Sequence, residues 1–174
     1  MIGSTIPVLG FAAYSGTGKT TLLKQLIPHL RKAGLRLGVI KHAHHQVDVD
    51  TPGKDSYELR KAGAGRVLLA SSRHWALMVD EVEEREPMLA QLLERLDCDT
   101  VDLVLVEGFR HLSFPKIELH RSSLGKPLIF PEDSSVIAIA SDTRIEQVDE
   151  LPHLDLNDIP GIAAFIMEYC TRFQ

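Results

Sequence analysis

Between Ala13 and Thr20 the chain reads Ala-Tyr-Ser-Gly-Thr-Gly-Lys-Thr, a spacing suited to the capture of a phosphate chain. A loop that wraps an anion with main-chain N–H groups needs glycine where a side chain would block the approach. Gly16 and Gly18 stand at those places. The amides of Ser15, Gly16, Thr17, Gly18, Lys19, Thr20 and Thr21 are therefore expected to curl around the anion. A helix starting directly after the loop adds free N–H groups and the positive end of its dipole. Lys19 would reach the β- and γ-phosphates as a point charge, and the Thr20 hydroxyl would ligate Mg2+. The first glycine of the usual pattern is Ala13 here, a methyl group that such loops accommodate. The competing reading is an ordinary glycine-rich turn between a strand and a helix.

A phosphate site of this kind needs carboxylates to hold the cation. Val101-Asp-Leu-Val-Leu-Val-Glu107 is an apolar strand ending in one, followed by Gly108. In parallel α/β folds the ligand lies beyond the carboxyl ends of the strands, so Glu107 is expected to face the Mg2+ or its waters. The plainer reading is a surface carboxylate at a strand end. The loop Lys41-His-Ala-His-His-Gln-Val-Asp-Val-Asp50 follows the second expected strand and opens on the same edge. Asp48 or Asp50 is a candidate for a second metal carboxylate or for the group that positions an attacking water, and loop solvation accounts for at least one of them. His42, His44 and His45 suggest a transition-metal site, but their spacing is no known four-ligand set and no cysteine joins them. Arg60 is either an anion contact or part of an exposed helix face. Asp142, at the end of Ala138-Ile-Ala-Ser-Asp142, is a candidate reader of the guanine N1–H and N2–H2 edge, or else a turn cap.

The elements that position these groups follow from periodicity. Ile6 to Ala12 has strand length, and a helix from about Gly18 to Ala33 is marked by Leu22, Leu23, Leu26, Ile27 and Leu30, with Gly34 as its stop. Pro28 inside it predicts a bend, not an end. Arg36 to Ile40 reads as a buried strand, Asp55 with Glu58 as a capping-box-like helix start, and Gly63 as that helix's end. Arg66 to Ser71 and His74 to Asp80 read as a hairpin turning at Ser72-Arg73. Met88, Leu89, Leu92, Leu93 and Leu96 form a helical stripe, Lys116 to His120 and Val136 to Ala140 are further strands, and Ile162 to Phe173 is a closing helix. Strands alternating with helices predict an α/β sandwich, a three-layer P-loop NTPase-type fold with a mainly parallel sheet. The hairpin and the strand near Lys116 are the expected antiparallel departures. Residues 1–174 are read as one nucleotide-binding domain.

Composition narrows the class. A formal charge of −5 argues against a nucleic-acid partner. The two cysteines, Cys98 and Cys170, make no disulfide framework. No apolar run reaches the roughly 18 residues of a membrane span, and no basic N-terminal segment leads a long apolar stretch. A cytoplasmic protein is expected.

Four segments together, Ala12-Ala-Tyr-Ser-Gly-Thr-Gly-Lys-Thr-Thr21, Ile40-Lys-His-Ala-His-His45, Asp48-Val-Asp-Thr-Pro-Gly-Lys-Asp-Ser-Tyr-Glu-Leu-Arg-Lys-Ala-Gly63 and Leu105-Val-Glu-Gly-Phe109, resemble the molybdopterin-guanine dinucleotide biosynthesis adaptor protein B family (MobB). The likeness runs over nearly the whole chain. It implies a homodimeric GTP-binding protein with weak GTPase activity that assists the guanylyltransferase attaching GMP to molybdopterin. It also implies GTP and Mg2+ as ligands, with Gly16, Gly18, Lys19, Thr20 and Thr21 on the phosphates and cation and Glu107 at the second acidic position. The preference for a guanine nucleotide comes from the resemblance alone, and Asp142 is its only candidate. Two other functions compete. In a P-loop small-molecule kinase, Asp48 or Asp50 would be the base and Arg110 or Arg121 would clamp the donor, but no arginine-rich lid segment is evident. In a metal-delivery GTPase the three histidines would hold the cargo.

Overall fold

Strands that read as unbroken apolar runs must be covered on both faces, and the computed structural model, describing residues 6–43, 48–96, 98–146 and 150–173, shows how this is done. The chain divides into two compact units, one built from the residues through His42 and those from Met88 onward, the other from Ala43–Pro87.

The larger unit holds a six-stranded sheet in the order β2-β5-β1-β6-β7-β8. Its members are β1 (Val8–Ala12), β2 (Leu37–Lys41), β5 (Leu103–Glu107), β6 (Lys116–His120), β7 (Val136–Ser141) and β8 (His153–Asp155). Every neighbouring pair is parallel. The period of two along each strand sends alternate residues to opposite layers. Leu9, Phe11, Leu103, Leu105, Ile117, Leu119, Ala138 and Ala140 join a core with helices α1 (Lys19–Lys32) and α4 (Ile159–Thr171). Val8, Val104, Val106 and Ile40 face the other way, onto α3 (Leu89–Arg95) and the rings of Phe109 and Phe114.

The antiparallel expectation for the strand near Lys116 is corrected, and one further strand, β8, stands outside every expected element. The strand at Lys116 is parallel to both its neighbours. Its polar–apolar alternation resembles a half-solvated antiparallel strand, yet Lys116 and Glu118 are each only 1% exposed. The Lys116 ammonium donates to Asp133 Oδ2 at 2.7 Å, Ser135 Oγ at 2.8 Å and the Leu112 carbonyl at 2.5 Å. Glu118 accepts the amides of Ile129 and Phe130, both at 2.8 Å. Burial pushes the Glu118 carboxyl above its ordinary value despite those two amides. The polar face is thus buried and satisfied under the segments on either side of β6. Strand β8, only three residues long and ending in an aspartate, has no pattern by which periodicity finds it.

Helix α1 continues through Pro28 and ends at Ala33. Gly34, at φ 95°, donates to the Arg31 carbonyl while Leu35 donates to that of Leu30, the paired bonds by which a left-handed glycine closes a helix.

The smaller unit carries α2 (Asp55–Lys61) and the antiparallel pair β3 (Arg66–Ala70) and β4 (Trp75–Val79). Ser71 Oγ accepts the amides of Arg73 and His74 and so fixes the hairpin turn. The capping box is not formed: Lys54 is the N-cap and brings no side-chain hydrogen bond. Asp55 and Glu58 both lie in the first turn, where their charge suits the helix dipole.

Candidate functional site

In the larger unit β1 lies between β5 and β6; the chain leaves β1 for β2 on the β5 side and later crosses from β5 to β6 on the other side of β1. A parallel sheet has its crevice at such a switch point, beyond the carboxyl ends of the strands. The glycine-rich segment leaves β1 there. Gly16 and Gly18 take φ of 84° and 99°, a region that L side chains rarely enter. Tyr14's carbonyl accepts the Thr17 hydroxyl at 2.8 Å and its amide at 3.4 Å, which curls the loop back on itself. Gly18 is the N-cap of α1 and contributes no side chain to the first-turn amides. Lys19, Thr20 and Thr21 therefore present N–H groups that have no carbonyl within the helix.

Lys19 folds its ammonium back to the Ala13 carbonyl at 3.1 Å. Burial lowers its pKa, Glu107 opposes that shift, and the cations Arg110 and Lys41 add to it. An amine so desolvated gains from a nearby anion more than an exposed lysine does. Glu107, at the end of β5, pairs with Lys41 at the end of β2, Nζ to Oε2 3.6 Å, with a side chain 15% exposed.

The turn after Glu107 is built tightly. Gly108 has φ 106° and Phe109 φ 52°. The His42 amide donates to the Glu107 carbonyl at 2.8 Å, and the His42 ring stacks on Phe109 with centroids 4.5 Å apart and planes 17° from parallel. Phe109 is itself 1% exposed.

The sequence reading named Arg121 only as a kinase clamp and missed its contact with the loop. Its Nε donates to the Thr17 carbonyl at 2.9 Å, and its Nη1 lies 3.9 Å from Asp142 Oδ2. Asp142 Oδ1 accepts the Ser122 amide at 3.1 Å. That amide, with Arg121 contributing, holds the Asp142 carboxyl below its ordinary range against the effect of burial. No motif links residues 121 and 142; only the adjacency of β6 and β7 brings them together.

The other predicted carboxylates belong to the smaller unit. Asp48 pairs with Arg60 and lies 3.8 Å from the Lys61 ammonium. Arg60 also reaches Asp80 at 3.1 Å, and its side chain is only 9% exposed, so it is not part of a solvated helix face. Asp50 Oδ1 accepts the Thr51 amide at 2.9 Å and the Ser56 hydroxyl at 3.1 Å. Of the candidate metal-binding histidines, His42 stacks as described, while His44 and His45 lie outside the described residues.

A parallel sheet with this strand order, a glycine loop after its central strand and a lysine opening the next helix together define a P-loop NTPase-type fold. Within that class the family model described as "Molybdopterin guanine dinucleotide synthesis protein B" (MobB) matches residues 8–142, and the chain belongs to this family. It is 52% identical to the Molybdopterin-guanine dinucleotide biosynthesis adapter protein of Escherichia coli (strain K12), over 99% of this chain and 98% of that protein. It is 45% identical to the protein of the same description from Haemophilus influenzae, over 99% of this chain and 94% of the relative. A crystal structure of molybdopterin-guanine biosynthesis protein B (mobB) superimposes with a TM-score of 0.73 at 28% identity, covering 93% of this chain and 99% of that one. No helix among the described residues is long and apolar enough to cross a membrane.

Proposed function

We propose that this chain binds GTP with Mg2+ on the loop from Ser15 to Thr21 and serves as an adaptor in the attachment of GMP to molybdopterin. In this reading its partner is the guanylyltransferase of that step, and the chain works in the cytoplasm. The observation that carries the nucleotide site is the partly desolvated Lys19 ammonium beside positive-φ glycines at the sheet's switch point. The adaptor role and the guanine preference rest on family membership.

The donor set fits a hard divalent cation: the Thr20 hydroxyl and the Glu107 carboxylate are oxygen ligands of the kind Mg2+ takes. When bound, the cation would neutralise charge on the β- and γ-phosphates. Lys19 would bind the same oxygens, and the loop amides would hold the phosphates in line. Hydrolysis would proceed by attack of water on the γ-phosphorus, with rupture of the bond to the β–γ bridging oxygen, giving GDP and inorganic phosphate. The turnover is expected to be slow.

The hairpin supports a homodimer. Leu68 (62% exposed), Leu69 (54%), Trp75 (71%) and Leu77 (52%) leave apolar side chains in water on a two-stranded sheet whose edges pair with no other strand among the described residues, a surface that solvated monomers seldom carry. Lys19→Ala is the test of the nucleotide site. It should abolish GTP binding in a calorimetric titration, and an unchanged affinity would contradict the assignment.

A further inference from the structure

We infer that Arg121 is a positioning residue for the phosphate loop and that Asp142 acts on the nucleotide through Arg121 instead of reading the base. The inference rests on the proposed nucleotide site and adds to it which residues hold the loop in its binding shape.

The loop has few restraints of its own. Beyond the Thr17–Tyr14 contacts and the Lys19–Ala13 bond, its amides must point at the ligand and cannot brace the backbone. Arg121 supplies the brace from outside. Its Nε bonds the Thr17 carbonyl, which fixes the peptide between Thr17 and Gly18. Its guanidinium also covers Gly18: a Cβ built there would lie 3.8 Å from Nη2 and 3.9 Å from Nε. A cation seated against two consecutive loop residues acts on the phosphates whatever base they carry.

Asp142 in turn is committed to holding Arg121 in place. One oxygen takes the Ser122 amide, the residue next to Arg121, and the other faces the guanidinium. Thr143 adds a third tie, hydroxyl to hydroxyl with Ser122 at 2.5 Å. A carboxylate that reads guanine must direct both oxygens at the N1–H and N2–H2 edge, whereas Asp142 turns Oδ1 to the Ser122 amide and Oδ2 toward the Arg121 guanidinium, 3.9 Å away. The three ties bind the end of β7 to the end of β6, and Arg121 carries that restraint into the loop.

The test uses Arg121→Ala, Asp142→Asn and the double variant of the full chain. GTP, XTP and magnesium tripolyphosphate, which has no base, serve as calorimetric ligands, with urea midpoints measured alongside. Arg121→Ala should weaken GTP and tripolyphosphate by the same factor, about tenfold for one charge-assisted hydrogen bond. The near-isosteric Asp142→Asn should weaken both severalfold by a common factor without gaining XTP. The double variant should bind no more weakly than Arg121→Ala, since the two residues act in one chain of contacts. A gain of XTP binding by Asp142→Asn, or a loss of GTP with tripolyphosphate untouched, would overturn the inference by making Asp142 a base reader. Unchanged affinities in Arg121→Ala would overturn it as well. Failure of the unaltered chain to bind GTP would instead remove the proposed function on which the inference stands.

Discussion

Gly108→Ala should be among the most damaging single-methyl additions to this chain, and the structure says by how much. Two costs combine at that position. The backbone has φ 106°, and an L residue held in the left-handed region costs roughly 1–2 kcal/mol. A Cβ there would also lie 2.5 Å from His42 Cβ and 3.4 Å from His42 Cα and N. Relief requires the end of β2 to move away from the end of β5, against the bond from the His42 amide to the Glu107 carbonyl. Overpacking of this kind costs about 1–3 kcal/mol, so the sum is about 2–5 kcal/mol. Gly34→Ala is the internal control: its φ is 95° but nothing lies within 4 Å of its Cβ, so only the backbone term of about 1–2 kcal/mol applies. Urea denaturation of the two variants isolates the steric part as their difference. If both lose stability equally, the close approach at His42 has no energetic weight and the account of the turn fails. Because the displaced strand end carries Glu107, Gly108→Ala should also weaken Mg2+-dependent nucleotide binding, and Gly34→Ala should not.

Three further outcomes are expected. Lys116→Met strands the Asp133 carboxylate, 19% exposed and 2.7 Å from the ammonium, and should cost about 3 kcal/mol by thermal or urea unfolding; adding Asp133→Asn should recover part of it. Tyr169 donates its hydroxyl to the Val8 carbonyl at 3.0 Å, and burial pushes its pKa up to about 12. An acid held neutral in the folded state contributes stability that is complete below its ordinary value near 10 and declines toward pH 12. Tyr169→Phe should therefore cost about 1 kcal/mol at neutral pH and flatten the loss of stability between pH 10 and 12; an unchanged alkaline profile would refute the assignment. Replacing Trp75 and Leu77 by glutamate should convert a dimer to a monomer in sedimentation velocity, and a dimer that survives both changes places the interface elsewhere.

How far the sequence reveals this molecule depends on whether a residue's surroundings are set by its near neighbours. The loop at Gly16 and Gly18 and the glycine stop at Gly34 are local devices, legible because backbone geometry there admits few residue types, and the hairpin at Ser72-Arg73 is local too, its turn held by the neighbouring Ser71 side chain. The buried strand ending at Glu107 is legible because a run such as Leu103-Val-Leu-Val106, wholly buried, allows no face toward water. Lys116 and Glu118 defeat the same logic. Polar residues at every second position signal solvent only where nothing covers them, and their cover comes from Asp133, Ser135, Ile129 and Phe130, eleven or more residues away in sequence. Arg60 is a milder case: its partners Asp48 and Asp80 lie 12 and 20 residues off, so a helix-face reading made from i, i+4 neighbours alone puts it in water.

The same distinction explains the division of labour at the candidate site. A loop that catches phosphate does so with main-chain groups whose placement needs glycine, so any sequence built for it carries a visible signature. Bracing that loop needs only a donor near the Thr17 carbonyl, and a side chain from any neighbouring strand can supply one. Arg121 does so across 104 positions, held by a carboxylate 20 residues beyond Ser122. Such a contact leaves no pattern in the sequence, because its geometry is set by the order β1-β6-β7 and not by spacing along the chain. It follows that the cation and the carboxylate should be exchangeable only as a pair: Asp142→Asn should lose its effect once Arg121 is gone, whereas a residue chosen to read a base would keep its effect regardless.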